Sequence, residues 1–215
     1  VQQFVTPQYG VTRPYSYKSA SEFDVPPPRD SDPVHYRDAY QRQADEILRI
    51  SAALTDTQKL TAEHFNDKYR ALPTTVAFLA ETRHYTLDQF VFHAFLTNLA
   101  AFDTGIAAWY FKRRYDSVRP FSAIHYLYRG RTVTAWGGPG RGTVTDLPGA
   151  EWRSYLSTAD HPDYPSGSAS ICAAHAQASR RFTDTDSLGV SVTVRRGASV
   201  VEPGVTPRAD LVLGP

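Results

Sequence analysis

Two short stretches of the sequence carry residue types suited to holding an anion. In the first, Lys112 precedes Arg119 by seven positions, and a proline follows the arginine. The second, residues 165–168, is Pro-Ser-Gly-Ser and opens an alanine-rich run. Lysine supplies a compact point charge and arginine a planar fork of donors, and both bind oxyanions well. Together the two stretches indicate a site for an oxyanion.

The alanine-rich run predicts a helix whose first turn contains Ser166, Gly167 and Ser168. Backbone N–H groups in a first helical turn have no partner within the helix, and the helix dipole is positive there. Gly167 lets an anion approach the backbone closely, and the serine hydroxyls add donors. The alternative is an ordinary serine-capped helix that binds nothing.

The longest predicted helix positions Lys112. Thr86 and Gln89 form a capping box, and the apolar residues that follow predict a helix to about Arg114. Its most hydrophobic part, residues 90–111, is long enough to cross a bilayer. His93, Thr97, Asn98 and Asp103 within it would be costly in hydrocarbon, so we predict a buried helix of a soluble bundle. Cations are also favoured at a helix C-terminus, which is the alternative role for Lys112.

Further helices are predicted before this one. Asp32 and the proline after it predict the start of a helix that reaches Ala53. A second capping box at residues 55–58 starts a helix that we expect to end near Pro73, because proline removes a helical hydrogen bond. Residues 73–85 are then a connector or a short helix.

The segment after Arg119 carries fewer helical signals. Residues 121–125 predict a helical turn, and His125 at its end either lines the pocket or has a structural role. Glycine, proline and tryptophan are dense over residues 129–160, and the Gly-rich stretch 137–142 predicts a loop. Trp136 and Trp152 within them either cover a site entrance or fix the loops to the bundle.

Three parts are expected along the chain. Residues 1–31, rich in proline, tyrosine and serine, predict an extended N-terminal arm. Residues 32–183 would form a helical bundle that carries the anion site. Residues 184–215 predict a strand and loop segment, because valine alternates with serine and threonine over residues 190–194 and turn residues follow near 203–204.

Composition limits the classes of function. The formal net charge is +1 and the pI about 8.0, so neither a nucleic acid nor a membrane surface is indicated as a partner. The single cysteine, Cys172, excludes a disulfide within the chain. The sequence has no methionine and begins at Val1, so we expect that an N-terminal piece was removed or left out.

The order and spacing of the two motifs resemble those of the vanadium-dependent haloperoxidase and type 2 phosphatidic acid phosphatase superfamily. Lys112, six intervening residues and Arg119-Pro120 match its first motif, and residues 165–167 match its second. Four flanking segments are similar to bacterial vanadium-dependent chloroperoxidases: residues 6–10, 26–28, 135–136 and 149–152. The resemblance implies an all-α fold, a helical bundle of the vanadium haloperoxidase and acid phosphatase type, with a small C-terminal β-hairpin.

The resemblance also implies roles for the motif residues. Vanadate would be bound by Lys112, Arg119, Ser166 and Gly167, and Lys112 would also be catalytic by polarising peroxide. Ser168 stands where most members have an acid–base histidine, and this substitution resembles actinobacterial chloroperoxidases that act on meroterpenoids. We expect Ser168 to be the second catalytic residue. Its alternative role is that of a helix-start serine.

A third motif of the superfamily supplies another arginine and the axial histidine that bonds vanadium. No arginine in this sequence has a histidine four positions later. We therefore assign no metal ligand within the chain and expect the axial histidine in a missing C-terminal part. The alternative is a protein that has lost its metal ligand.

The implied function is that of a vanadate-dependent haloperoxidase. It would oxidise halide with hydrogen peroxide and halogenate, and also cyclise, an electron-rich small organic substrate such as a meroterpenoid. The alternatives are a vanadium-independent rearrangement enzyme for a prenylated aromatic substrate, an acid phosphatase of the same superfamily, and a non-enzymatic anion-binding domain. We expect a soluble protein with no membrane or nucleic-acid partner, a cytoplasmic location over export, and pairing into a homodimer.

Overall fold

The computed structural model describes residues 4–214, the Tyr69 side chain excepted. The ends of the predicted arm and C-terminal segment, residues 1–3 and 215, lie outside this range. Within it are six α-helices: α1 Arg37–Ala52, α2 Asp56–Asn66, α3 Lys68–Thr82, α4 Leu87–Tyr115, α5 Pro120–Leu127 and α6 Gly167–Thr183. Four short strands accompany them: β1 Thr132–Trp136, β2 Thr143–Pro148, β3 Val192–Val194 and β4 Leu211–Leu213. The predicted mostly helical fold is confirmed.

Local capping signals place the starts of three helices. The Thr86 side chain accepts a hydrogen bond from the N–H of Gln89, and the Gln89 side chain accepts one from the N–H of Thr86. Thr55 and Gln58 make the same reciprocal pair before α2. Ser166 caps α6 as predicted, with its hydroxyl accepting from the N–H of Ala169 at 3.2 Å. Each cap supplies an acceptor for a backbone N–H group that has no hydrogen-bond partner within the helix.

The predicted helix start at Asp32 is wrong. The Asp32 carboxylate accepts hydrogen bonds from the N–H groups of Val34 and His35, at 2.7 and 3.2 Å. These bonds close a turn, and α1 begins only at Arg37 after the N-cap Tyr36. A short acidic side chain stabilises either a turn or a helix cap, and here the turn is formed.

The predicted helix end near Pro73 is also wrong, because Pro73 lies inside α3. The chain breaks earlier, where Asp67 separates α2 from α3 and accepts a hydrogen bond from the N–H of Arg70 at 3.2 Å. Pro73 falls in the second turn of the new helix. It removes a single helical hydrogen bond there, which the other bonds of α3 outweigh.

The predicted loop at residues 137–142 is confirmed, and the strands on either side of it, β1 and β2, form an antiparallel hairpin that the sequence did not indicate. The Gly-rich stretch 137–142 connects them and is closed by a 2.8 Å hydrogen bond from the N–H of Gly137 to the carbonyl of Gly142. The C-terminal strand pair is present, and β3 lies within the predicted stretch. Strand β3 pairs with β4, Leu211–Leu213. Residues 200–204 form bends and turns in the connection between the two strands.

The chain divides into two compact units. In the first, made of residues 4–27, His64–Asp116 and Tyr164–Val190, α3, α6 and the N-terminal segment pack on α4. The Asp103 carboxylate, 3% exposed, accepts hydrogen bonds from the N–H groups of Tyr15 and Ser16 at 3.0 and 2.6 Å. These bonds hold the N-terminal segment along α4.

The second unit contains Pro28–Glu63, Ser117–Asp163 and residues 191–214. Helices α1 and α5 pack with β1 around a buried apolar cluster: Ala44, Leu48, Ile124, Val133, Ala135, Leu147 and Trp152. A buried ion pair joins Lys59 to Glu202, with Nζ 2.7 Å from Oε2. This pair fixes the segment after β3 to α2.

Helix α4 is buried along one side only. The stretch Leu87–Leu127 is long and apolar enough to cross a membrane by length and composition alone. The polar side chains of His93, Thr97 and Lys112 are nevertheless fully buried within the protein. This burial is the arrangement expected of a bundle helix. On the opposite side, Leu87 and Phe95 are exposed.

Candidate functional site

Lys112 lies in the last turn of α4 and is completely buried, with 0% of its surface exposed. Its Nζ lies 5.9 Å from the ring centroid of Trp109, one helical turn earlier. The Trp109 indole N–H donates to the carbonyl of Val5 at 3.1 Å, and its ring packs against Tyr9. The N-terminal segment therefore supports the residue that flanks Lys112.

The start of α6 carries the Pro-Ser-Gly-Ser motif. Ser166 is the N-cap, and its carbonyl accepts from the N–H of Ser170 at 3.0 Å. Gly167, the first helical residue, is buried, whereas the Ser166 and Ser168 side chains are exposed. The first backbone N–H group of α6 therefore belongs to a buried glycine.

The fold brings Lys112 and Gly167 together within the first unit. A Cβ atom built on Gly167 would lie 3.7 Å from Cε of Lys112 and 3.1 Å from Cζ3 of Trp109. A lysine ammonium and the N–H groups at the start of a helix both donate hydrogen bonds to oxyanions. Their combination in a buried place favours an oxyanion ligand.

Arg119 belongs to the second unit, where it is the N-cap of α5. Its guanidinium contacts the segment just before the second motif. Nε donates to the carbonyl of His161 at 2.7 Å, and NH1 lies 3.1 Å from Oδ1 of Asp163. The side chain is 15% exposed, so these bonds hold it in a largely enclosed position.

The other candidate pocket residues have structural contacts. His125 places Nε2 2.9 Å from the carbonyl of Trp152, which fits the structural alternative for this histidine. Trp152 is part of the buried cluster of the second unit. Trp136 donates its indole N–H to Glu202 at 3.1 Å, which fixes the β1–β2 hairpin to the segment after β3.

Three residues that contact the motif residues were not identified from the sequence. Trp109 flanks Lys112, and His161 and Asp163 hold Arg119. The signal for the last two was the stretch Asp-His-Pro-Asp directly before the second motif, which places charged groups next to a predicted anion site. Trp109 has the helical i, i+3 relation to Lys112, which is also visible in the sequence.

Comparison with known proteins places these observations in a family. The sequence model described as the VCPO second helical-bundle domain matches residues 92–214. The crystal structure of an apo-type bacterial vanadium-dependent chloroperoxidase is 40% identical, with a TM-score of 0.95 over 100% of this chain and 47% of that one. The holo-type structure is likewise 40% identical, with a TM-score of 0.92 over 100% of this chain and 46% of that one.

The chain therefore spans about half the length of the solved relatives that it matches. Among curated protein sequences none matches it. The family match covers α4 from residue 92 onward together with α5 and α6, which include both motifs, and the structural likeness extends over the whole chain. On these grounds the chain belongs to the vanadium-dependent chloroperoxidase family.

Proposed function

We propose that this chain carries the anion-binding part of a vanadate-dependent haloperoxidase that oxidises halide with hydrogen peroxide. The observation that carries the proposal is the buried Lys112 ammonium beside Gly167 at the start of α6. A buried cation at a helix N-terminus suits an oxyanion better than a neutral substrate. Membership of a vanadium-dependent family supports vanadate as that oxyanion.

The donor set fits vanadate. Vanadate is a tetrahedral oxyanion, and its oxygens call for cations and N–H or O–H donors, which Lys112, Gly167 and Ser166 supply. Among residues 4–214, no group of three or more His, Cys, Asp or Glu side chains is arranged to hold a metal ion. We infer that the residues of this chain bind the oxygens of vanadate.

Bound vanadate would supply a Lewis acid that activates hydrogen peroxide toward halide. The residues of this chain would neutralise and orient the oxygens around it. Lys112 would donate hydrogen bonds to an oxygen and stabilise the negative charge that develops there. Arg119 would bind further oxygens through its planar fork, and the N–H of Gly167 would add a fixed backbone donor.

Ser168 would serve as a hydrogen-bond relay. The overall reaction of peroxide, halide and one proton gives hypohalous acid and water, so a proton must reach the departing oxygen. A serine hydroxyl passes a hydrogen bond on but does not take up a proton near neutral pH as imidazole does. Ser168 is exposed, so water can deliver the proton to it.

The organic substrate is proposed from the sequence alone. Serine in place of the acid–base histidine resembles the chloroperoxidases that act on meroterpenoids. An electron-rich aromatic ring or an alkene of that class would accept the oxidised halogen, and halogenation of an alkene would also allow ring closure. Chloride or bromide would be the halide.

The test is halogenation of an activated dione by the full-length protein, with hydrogen peroxide and bromide or chloride, with and without orthovanadate. We expect product only when halide and vanadate are both present. A parallel assay with an aryl phosphate ester tests the acid phosphatase alternative. A folded full-length protein that hydrolyses the ester and shows no vanadate-dependent halogenation would overturn the proposal.

A further inference from the structure

Arg119 is tied to the segment 161–163 by a compact set of hydrogen bonds. Nε donates to the carbonyl of His161 at 2.7 Å, NH2 lies 2.7 Å from Nδ1 of the same histidine, and NH1 lies 3.1 Å from Oδ1 of Asp163. The N–H of Asp163 also donates to the carbonyl of Ser117 at 3.1 Å. The two segments are therefore joined through both backbone and side chains.

These contacts fix the plane of the guanidinium. Among the described residues they engage all three of its nitrogen atoms, and NH2 also lies 3.4 Å from Nε2 of His161. A guanidinium bonded at all three nitrogens cannot rotate about its last side-chain torsions without breaking one of the bonds. The remaining N–H bonds of NH1 and NH2 then point in set directions, as needed to bind two oxygens of one anion.

The contact with NH2 also sets the tautomer of His161. Arginine has donors only, so the ring nitrogen that faces it at 2.7 Å must carry a lone pair. Nδ1 lies 3.1 Å from the carbonyl of Pro162 as well, and Nε2 lies 3.4 Å from the same NH2. An arginine donor at 2.7 Å requires a lone pair on Nδ1. We therefore assign Nδ1 as the acceptor and place the ring proton on Nε2.

We propose that His161 is a positioning residue: its carbonyl and its unprotonated Nδ1 orient the Arg119 guanidinium for binding vanadate. This inference rests on the proposed function. Asp163 has a lesser part, because its side chain is 44% exposed and solvent screens its charge. The hydrogen bond that Nε of Arg119 donates to the carbonyl of residue 161 can form whatever the side chain at that position. A substitution of His161 therefore removes only the contribution of the imidazole ring.

The experiment measures the dissociation constant of orthovanadate by calorimetric titration of the full-length apoprotein. His161→Leu removes the ring acceptor, and we expect it to weaken vanadate binding by about tenfold, the loss typical of one hydrogen bond to a charged group. His161→Asn places an amide oxygen near the position of Nδ1 and should restore binding to within about threefold. His35→Gln, at an exposed histidine, serves as the matched control and should leave the affinity unchanged.

A double-mutant cycle separates positioning from general damage to the fold. If His161 acts through Arg119, His161→Leu should add less than about twofold to the loss already caused by Arg119→Lys. Thermal unfolding of each variant gives the stability alongside. The imidazole ¹⁵N signals of His161 can be assigned as those missing from the spectrum of His161→Leu. Their chemical shifts should show the Nε2–H tautomer at neutral pH.

Three outcomes would overturn the inference: equal vanadate affinity in wild type and His161→Leu, losses that multiply fully in the double variant, or a protonated Nδ1. Failure of the proposed function is distinguishable from these outcomes. It would appear as no vanadate binding by the wild type itself, whatever residue occupies position 161.

Discussion

Gly167 lies against the side chain of Lys112, so that a Cβ atom at position 167 would come within 3.7 Å of Cε. The same atom would approach Cζ3 of Trp109 to 3.1 Å, closer than most side-chain contacts. The glycine thus leaves room at the point where the buried ammonium meets the first turn of α6. A methyl group at this position would have to move the Trp109 ring.

Gly167→Ala is expected to weaken vanadate binding by about tenfold, because the added methyl group displaces Trp109, which flanks Lys112, by a few tenths of an ångström. Stability should change little, since alanine favours helix over glycine and offsets the crowding. Calorimetric titration and thermal unfolding measure the two effects. Ala173→Ser, at an exposed position of the same helix, is the control. Unchanged affinity in Gly167→Ala would show that vanadate does not depend on this contact.

Asp103→Asn should free the N-terminal segment from α4. The buried carboxylate accepts hydrogen bonds from the N–H groups of Tyr15 and Ser16 with its two oxygens. Asparagine keeps only one acceptor oxygen, and its amide nitrogen donates and cannot accept. We expect the free energy of unfolding to fall by about 2–3 kcal/mol. Trypsin should also cleave faster after the exposed Lys18. Cleavage at the wild-type rate would contradict this role. Asp146→Asn, at an exposed carboxylate, should leave the rate unchanged.

The buried ion pair of the second unit predicts loss of stability in acid. Burial alone would raise the pKa of Glu202, but hydrogen bonds from Lys59, Thr206 and Trp136 hold it below the ordinary value of 4.5. A carboxyl group whose pKa is lower in the folded state stabilises the protein above that ordinary value. Its contribution is lost as the pH falls through the folded pKa.

Glu202→Gln should therefore lower the free energy of unfolding at pH 7 by about 3–5 kcal/mol, because it leaves the Lys59 ammonium buried without its counter-charge. Denaturant unfolding between pH 7 and pH 3 should show a shallower decline for the variant than for the wild type. The control is Glu46→Gln, at an exposed carboxylate. Parallel curves for the variant and the wild type would refute the assignment.

Two buried histidines predict a second, milder pH dependence. Burial lowers the pKa of His93 and of His175 below the ordinary 6.5, and Arg83 adds to the effect on His93. Since the unfolded chain binds the proton more readily, stability should be complete above pH 6.5 and fall below it. His93→Gln should reduce the slope of unfolding free energy against pH between 6.5 and 5. An unaltered slope in His93→Gln would exclude His93 as a source of this pH dependence of stability.

Local signals in the sequence predicted the helices that carry the site. The capping box at Thr86 and the N-cap at Ser166 each depend on residues within one turn, so sequence alone locates the starts of α4 and α6. The β1–β2 hairpin could not be predicted in this way, because its strands are held by distant partners. Thr143 donates to the carbonyl of Ala52 at 2.6 Å, across 91 residues of chain.

The same limit applies to the candidate site. Residue types indicated that Lys112 and Arg119 bind an oxyanion, but not which groups orient them. The contact between Arg119 and His161 joins residues 42 positions apart, and only folding brings them together. The sequence therefore supplies the chemistry of the donors, whereas their geometry depends on tertiary packing.

The most direct test of the central claim is the affinity of the full-length apoprotein for orthovanadate, measured by calorimetric titration in wild type and Lys112→Gln. Glutamine keeps most of the lysine volume, and circular dichroism would establish that the variant is folded. Arg113→Gln removes a positive charge at the exposed neighbouring position and serves as the control. If Lys112 binds the oxyanion, its substitution should raise the dissociation constant about 10- to 100-fold, with little change for Arg113→Gln. Equal small losses in both variants would contradict the claim.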